Sequence, residues 1–526
     1  MTSTSRSVPS APPTLRPSRL SARAPGRPSA RAAAGLAALL ALTAGIAAAG
    51  PASGAHAATA DTNAKVVVGL RLEPTDLDIR TTSGAALDQV LIPNVYQALT
   101  SRSQSGAITP GLASSWKVSS DGLTYTFTLS KGETFSNGDT LDAADAAWSV
   151  NDLITSKGVD YADLAKVKSV TATGDQTVEI DLTGRDPDLL YALSGRAGVV
   201  LDQKATNDLK TTAIGSGPYT LQTWKQGDSL TLARNDSYWG TKAKVATVVF
   251  QYYTDSTAAN NAALSGDLDA LTAVDAVQKK RFQADDDLTL KSGTAPDKFV
   301  LAFNNATGPT SKLKVRQAIR YAIDHKSIVA AGRGSSLALG GPIAEGDPGY
   351  QDLTKLYPYS VTKAKALLKS AGYAKGLKLT LTVPSFYGTT DTDLLTSQLA
   401  KAGITLTVNS VEFSTWLTDV YTNKDYQLSL VDHAEARDFG NWANPEYYFG
   451  YDNATVQKLY TEATSASSTK IEAADLAKAA RIVSQDAAGD WLSQSVSLVS
   501  VRKGITGFPV NGTSTRLDLG TLAVSK

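Results

Sequence analysis

Between Ile108 and Asp145 the chain commits itself to a strand, flanking turns and a helix start within one short stretch. Thr124-Tyr-Thr-Phe-Thr-Leu129 alternates polar and apolar side chains. Successive side chains of a strand point to opposite faces, so this is the pattern of a half-buried strand. Asp121-Gly122 precedes it and Ser136-Asn-Gly-Asp139 follows it, and both are turn chemistry. Asp142, three residues before Asp145, can accept hydrogen bonds from the free N–H groups of a first helical turn, which predicts a helix carrying Trp148.

The rest of the chain mixes the same two periods. Val66 to Leu70 and Lys298 to Asn304 read as strands, and Val167 to Leu182 as two strands around a turn at Thr173-Gly-Asp175. Helices are expected over Ala86 to Leu99, Ala143 to Thr155, and Leu313 to Asp324, where Leu313, Ala318, Ile319, Ala322 and Ile323 mark one buried face. Ser360 to Ala371 forms another, stopped by Gly372. Leu377 to Val383 and Ile404 to Val408 read as strands around a helix ending at Ala402-Gly403. The fold class is therefore α/β.

The N-terminus points to export. Residues 1–57 carry Arg6, Arg16, Arg19, Arg23, Arg27 and Arg31 and no acidic residue, then an apolar run from Ala32 to Ala49, then Ala55-His56-Ala57. A basic start, an apolar run and an A-x-A site are the parts of a secretory signal peptide. The apolar run is also long enough to stay in a membrane as an uncleaved anchor. Without those six Arg, the 51 basic and 50 acidic side chains become 45 against 50. A mildly acidic chain without a basic cluster is not expected to bind nucleic acid. The chain has no Cys, so a Cys-anchored lipoprotein is not expected, and the fold must rest on its core alone.

Catalytic equipment is scarce. Beyond the leader only His325 and His433 remain, and the one Met is Met1. Gly334-Ser335-Ser336-Leu337-Ala338 lacks the final Gly of a nucleophile elbow. His325 sits in a helix pattern and reads as a surface or capping residue. One His without Cys makes a poor transition-metal site, so neither a metal nor another cofactor is expected. The richest polar cluster is Asp432-His433-Ala434-Glu435-Ala436-Arg437-Asp438, followed by Phe439, Trp442, Tyr447, Tyr448, Phe449 and Tyr451. A strand is expected to end near Val431, which places the cluster on the loop beyond it, where open α/β sheets bind ligands. A solvated loop of mixed charge would give the same text.

Several stretches together resemble the extracellular solute-binding proteins of peptide-type ABC importers, the oligopeptide/dipeptide-binding family 5. Besides Ile108 to Asp145 these are Glu73-Pro-Thr-Asp-Leu-Asp78, Gly215-Ser-Gly-Pro-Tyr219, Asn235-Asp-Ser-Tyr-Trp-Gly240 and the Leu313 helix. Turns between strands would explain the two middle ones without any ligand. The resemblance implies a two-lobe periplasmic-binding-protein-like fold of class II type. One discontinuous lobe would hold residues 58–298 plus 498–526, with an inserted subdomain near 101–208, and the other residues 299–497. Two connections would form a hinge, near Lys298 to Phe303 and near Ser497 to Arg502. The implied protein is not an enzyme. It is an exported monomer that captures a small peptide and delivers it to ABC permease subunits in the membrane.

Within that resemblance the cluster looks like the family's "G-W-x-x-D-x-x-D-P-x-N-F" loop. Asp438, Asn441 and Trp442 line up with its second half, which puts Glu435 where peptide binders hold the ligand's α-ammonium. Asp432 stands where Trp is usual, and Phe439 replaces Pro. Arg437 lies within the same loop. Ser83-Gly84-Ala85 lines up with a segment whose backbone pairs with an extended peptide. Trp416 faces either the cleft or the core. Other readings of the same fold are an oligosaccharide binder with aromatics near Trp442 as stacking platforms, a metal-chelate binder, a ligand-sensing receptor, or a secreted hydrolase.

Overall fold

The computed structural model describes residues 60–526 apart from 333, 386 and 388. The secretory signal expected over residues 1–57 lies outside the described residues. Among the described residues no helix is long and apolar enough to cross a membrane.

Two long strands, Leu288–Phe303 and Gly489–Arg502, form the spine. They pair antiparallel from Leu288↔Arg502 to Ala302↔Gly489, with register shifts between Thr294 and Lys298 and between Phe299 and Val300. On one side the Leu288 strand pairs with Leu428–His433, and this strand with Leu377–Pro384, which pairs parallel with Ile404–Val411. The parallel pair needs a crossover, and the helix Thr390–Ala402 supplies it. On the other side Gly489–Arg502 pairs with Ala270–Leu271, and then follow Lys65–Leu70, Thr247–Tyr252, Ser229–Arg234 and Tyr219–Lys225. A separate four-stranded sheet holds Ala113–Val118, Thr124–Leu129, Thr177–Leu182 and Val167–Gly174.

The spine strands change core along their length. Leu290 and Val496 pack with Phe282 and Leu498, and Val499 and Val501 with Val66 and Phe250. Phe299, Leu301, Phe303 and Leu492 pack instead with Ile319 and Leu381. The change falls between Leu290 and Phe299 on one strand and between Leu492 and Val496 on the other. The small sheet has its own core around Phe127, Val150 and Ile180.

Local chemistry explains most element ends. Asp142 accepts from the Ala144 and Asp145 N–H groups while Asp145 accepts from the Asp142 N–H, a complete capping box. The helix expected to reach Leu99 is Ala85–Leu91. Ile92 is extended there, as a residue before proline must be, and Pro93 has no N–H to continue the ladder. Gly215 and Gly217 serve close approach: a Cβ on Gly215 would stand 2.0 Å from the Val95 carbonyl oxygen, and one on Gly217 2.2 Å from that of Asn94. His325 is not a free surface residue. It opens the helix His325–Ala331, and its Nε2 lies 2.9 Å from Oδ1 of the fully buried Asp490, which also accepts from Arg320 Nε at 3.0 Å.

Candidate ligand-binding site

The strand leading to the polar cluster runs to His433, two residues past its expected end. Asp432 and His433 are therefore ladder residues opposite Phe299 and Lys298, and the loop begins at Ala434. The extension has a cause in side-chain chemistry. His433 is buried, with Nε2 3.0 Å from the Tyr448 hydroxyl, and burial pushes its pKa down to about 4. A neutral imidazole packs in this aromatic core; it lies 6.1 Å from the Tyr448 ring and nearly parallel to it.

Lys298 fixes the loop. Its side chain is buried, and Nζ donates to the Pro296 and Glu435 carbonyl oxygens at 3.3 and 2.9 Å and pairs with Asp438 Oδ1 at 3.0 Å. A buried ammonium needs this full set of partners. Burial pushes the Asp438 carboxyl up to about 6 even though Lys298 pulls it down. Between them, Arg437 takes a left-handed φ of 57°, and its N–H reaches Asp347 Oδ2 at 2.8 Å. Outside glycine such a φ survives only where surrounding contacts enforce it.

The pinned loop leaves the Glu435 carboxylate exposed. Beside it burial pushes Asp432 up to about 7 and raises Asp297, and the Glu435 charge raises both further. Asp432 Oδ1 is buried without a hydrogen-bond partner. Lys298 pulls both carboxyls the other way, and a further cationic group at this edge would favour their ionised forms.

Two cavities lie in this part of the molecule, and loop residues line the first. One, a narrow hollow, is lined by Asp188, Asp347, Arg437, Asp438 and Glu472 over an apolar floor that includes Ile343, Phe439 and Leu476. Within it the Arg437 guanidinium pairs with Asp188, lies 3.6 Å from Glu472 Oε1, and sits 4.1 Å from the Tyr191 ring centroid. The other, of ≈ 240 Å³, is lined by residues that include Arg71, Gln89, Thr272, Asp297 and Ser495. It lies against the segments where the spine strands change core.

The sequence model of the bacterial extracellular solute-binding proteins, family 5, matches residues 107–484. The chain belongs to this family. As a family-5 protein it is the solute-binding component of an ABC importer. The probable D,D-dipeptide-binding periplasmic protein of Escherichia coli K12 is 26% identical over 489 residues, 85% of this chain and 91% of that one. The nickel-binding periplasmic protein of the same organism is 29% identical over 293 residues, 53% of this chain and 56% of that one. The oligopeptide-binding protein of Bacillus subtilis, solved with a nonapeptide, superposes with a TM-score of 0.71 at 22% identity, covering 89% of this chain and 100% of its own. That likeness shows the two-lobe α/β fold of the family.

In this family-5 chain the residues singled out from sequence divide. Arg437 and Asp438 line the smaller cavity, and Glu435 stands on the same loop. Ser83 and Gly84 are exposed and Ala85 is half-buried at the start of the helix Ala85–Leu91, with Gly84 at φ 98° as its N-cap; none of the three lines either cavity. Trp416, read as facing either the cleft or the core, lies in the core, and so does Trp442, which was expected near a ligand. Trp416 is 4% exposed and donates from Nε1 to Ser429 Oγ at 2.9 Å. Trp442 is 2% exposed, stacked 3.9 Å from the Phe449 ring and tilted against the Trp491 ring at 5.0 Å. Their rings are occupied by core partners and offer no free face to a sugar. Lys298 was missed. Its signal was a lone Lys opening an otherwise apolar run, Phe299 to Phe303.

Proposed function

We propose that this protein captures a small peptide by its free α-ammonium and hands it to a membrane permease. The observation that carries the reading is the exposed Glu435 carboxylate beside the buried, unpartnered Asp432 oxygen, on a loop pinned by Lys298. A preorganised anionic edge loses little entropy when an ammonium docks.

The capture motion is closure of two lobes, residues 58–298 plus 498–526 against 299–497. The hinge is the two connections near Lys298 to Phe303 and near Ser497 to Arg502, next to the spine segments where the packing changes core. Arg437 and Glu472 on one lobe facing Asp188 on the other support this division. The polypeptide is exported by its first 57 residues and works as a monomer without nucleic acid or chemical turnover. Burial of Trp442 speaks against sugar stacking. The hydrogen bond between His433 Nε2 and the Tyr448 hydroxyl within the core speaks against a His-ligated metal chelate.

The test is binding of a free-amine tripeptide and its Nα-acetyl form to the exported protein, stripped of carried ligand by unfolding and refolding, in wild type and Glu435→Gln. The reading requires that acetylation weaken binding to the wild type. Equal affinity for both peptides would overturn it.

A further inference from the structure

The ≈ 240 Å³ cavity against the spine carries opposite charges on its wall. Among the described residues that line it, Arg71 is the one cation and Asp297 the one anion, and the rest of the wall is neutral. The sheet sets the two apart. Arg71 directly follows the strand Lys65–Leu70, and Asp297 lies in Leu288–Phe303, with Ala270–Leu271 and Gly489–Arg502 between them. Three strand spacings place their backbones ~14 Å apart across the sheet.

Arg71 is free to take a partner. It is exposed, and the described residues give it neither an ion pair nor a hydrogen bond. The nearest acid in sequence, Glu73, is committed elsewhere: its carboxylate accepts from Trp224 Nε1 and from the Gly227 N–H, each at 2.9 Å. The acidic end of the cavity is tied to the loop of Glu435. Lys298 Nζ donates to the carbonyl oxygens of both Pro296 and Glu435, at 3.3 and 2.9 Å, so one buried donor joins that loop to the 295–297 segment of the wall. Asp297 is half-buried; burial raises its carboxyl, and the Glu435 charge adds to the rise. The cavity therefore leads from the edge proposed for the ammonium toward a cation with no partner.

A guanidinium presents a planar fork of donors that matches the two oxygens of a carboxylate. One Arg without a second cation suits a singly charged group. A peptide held by its ammonium at the Glu435 edge carries that group at its other end. A cavity of roughly 150 Å³ holds a benzene, so ≈ 240 Å³ admits the end of a peptide chain. We infer that Arg71 binds the ligand's C-terminal carboxylate, so that the protein selects peptides with both termini free. The inference rests on the peptide reading above and gives that site its second charged anchor.

The experiment is calorimetric titration of the refolded exported protein with trialanine, its C-terminal amide and its Nα-acetyl form, in wild type and Arg71→Met. The amide keeps the shape of the peptide and removes the negative charge. In the wild type amidation is expected to weaken binding about ten-fold or more, the worth of a charge-assisted hydrogen bond. Arg71→Met is expected to bind acid and amide alike, at the wild-type affinity for the amide. Its penalty for acetylation is expected to stay, which also shows that the variant is folded. Arg71→Lys is expected to restore part of the preference for the acid, since a point charge replaces the fork. Equal binding of acid and amide by the wild type, with the acetylation penalty intact, would overturn the Arg71 assignment and leave the peptide reading standing. An amidation penalty that survives Arg71→Met would place the carboxylate elsewhere and overturn the assignment too. Absence of both penalties in the wild type would remove both readings.

Discussion

Lys298 Nζ and Asp438 Oδ1 stand 3.0 Å apart, with side chains 1% and 8% exposed, and this pair ties the first residue of the apolar run to the loop that carries Glu435. Removing one partner of a buried pair costs about 3 to 5 kcal/mol, because the other charge is left without compensation. Lys298→Met is therefore expected to lower stability by that order. The loss depends on pH. Without Lys298 the Asp438 carboxyl titrates above its present value of about 6. Its folded form then binds more protons than its unfolded form, and stability falls as pH rises. Urea melts at pH 5 and pH 8 check this: the deficit is larger at pH 8, and equal deficits would contradict it.

Glu133 is a second buried carboxyl, 1% exposed, and burial pushes it up to about 8. A folded pKa above the unfolded one contributes stability at low pH that is lost as pH rises toward 8. Glu133→Gln keeps the shape and removes the titration. The variant is expected to gain on the wild type between pH 5 and 8 by up to about 3 kcal/mol. A parallel pH profile for the two proteins would contradict the account of Glu133.

Gly215 tests the structural reading of Gly215-Ser-Gly-Pro-Tyr219. A Cβ there would meet the Val95 carbonyl oxygen at 2.0 Å, and the backbone on both sides must move. Gly215→Ala is expected to destabilise by about 1 to 3 kcal/mol, the usual range for overpacking. Its ligand affinity below the melting temperature is expected to stay at the wild-type value. Lost affinity in a still-folded variant would make the segment part of the binding site.

The fold was legible wherever local chemistry decides. The Asp142 capping box, the alternation from Thr124 to Leu129 and the Gly-stopped helices were readable because each depends on residues a few positions apart. The length of the Leu288–Phe303 strand was not, since its first half is polar and is held by pairing with Gly489–Arg502, two hundred residues away in sequence. Pro93 was readable and was overrun by the apolar pattern around it. At the site, the acidic loop stood out by composition. What each side chain does there depends on partners from other segments. Lys298 and Asp347 reach the loop through the fold, and Trp416 and Trp442 are drawn into the core by Ser429, Phe449 and Trp491. No spacing rule anticipates those contacts.

The central claim is that Glu435 holds a peptide's free amine. The most direct measurement is a double-mutant cycle: dissociation constants of the refolded exported protein and its Glu435→Gln variant for trialanine and Nα-acetyl-trialanine. A coupling energy of about 2 to 5 kcal/mol is expected, with acetylation weakening the wild type and changing the variant little. A coupling near zero, or binding confined to sugars or nickel chelates, would contradict it.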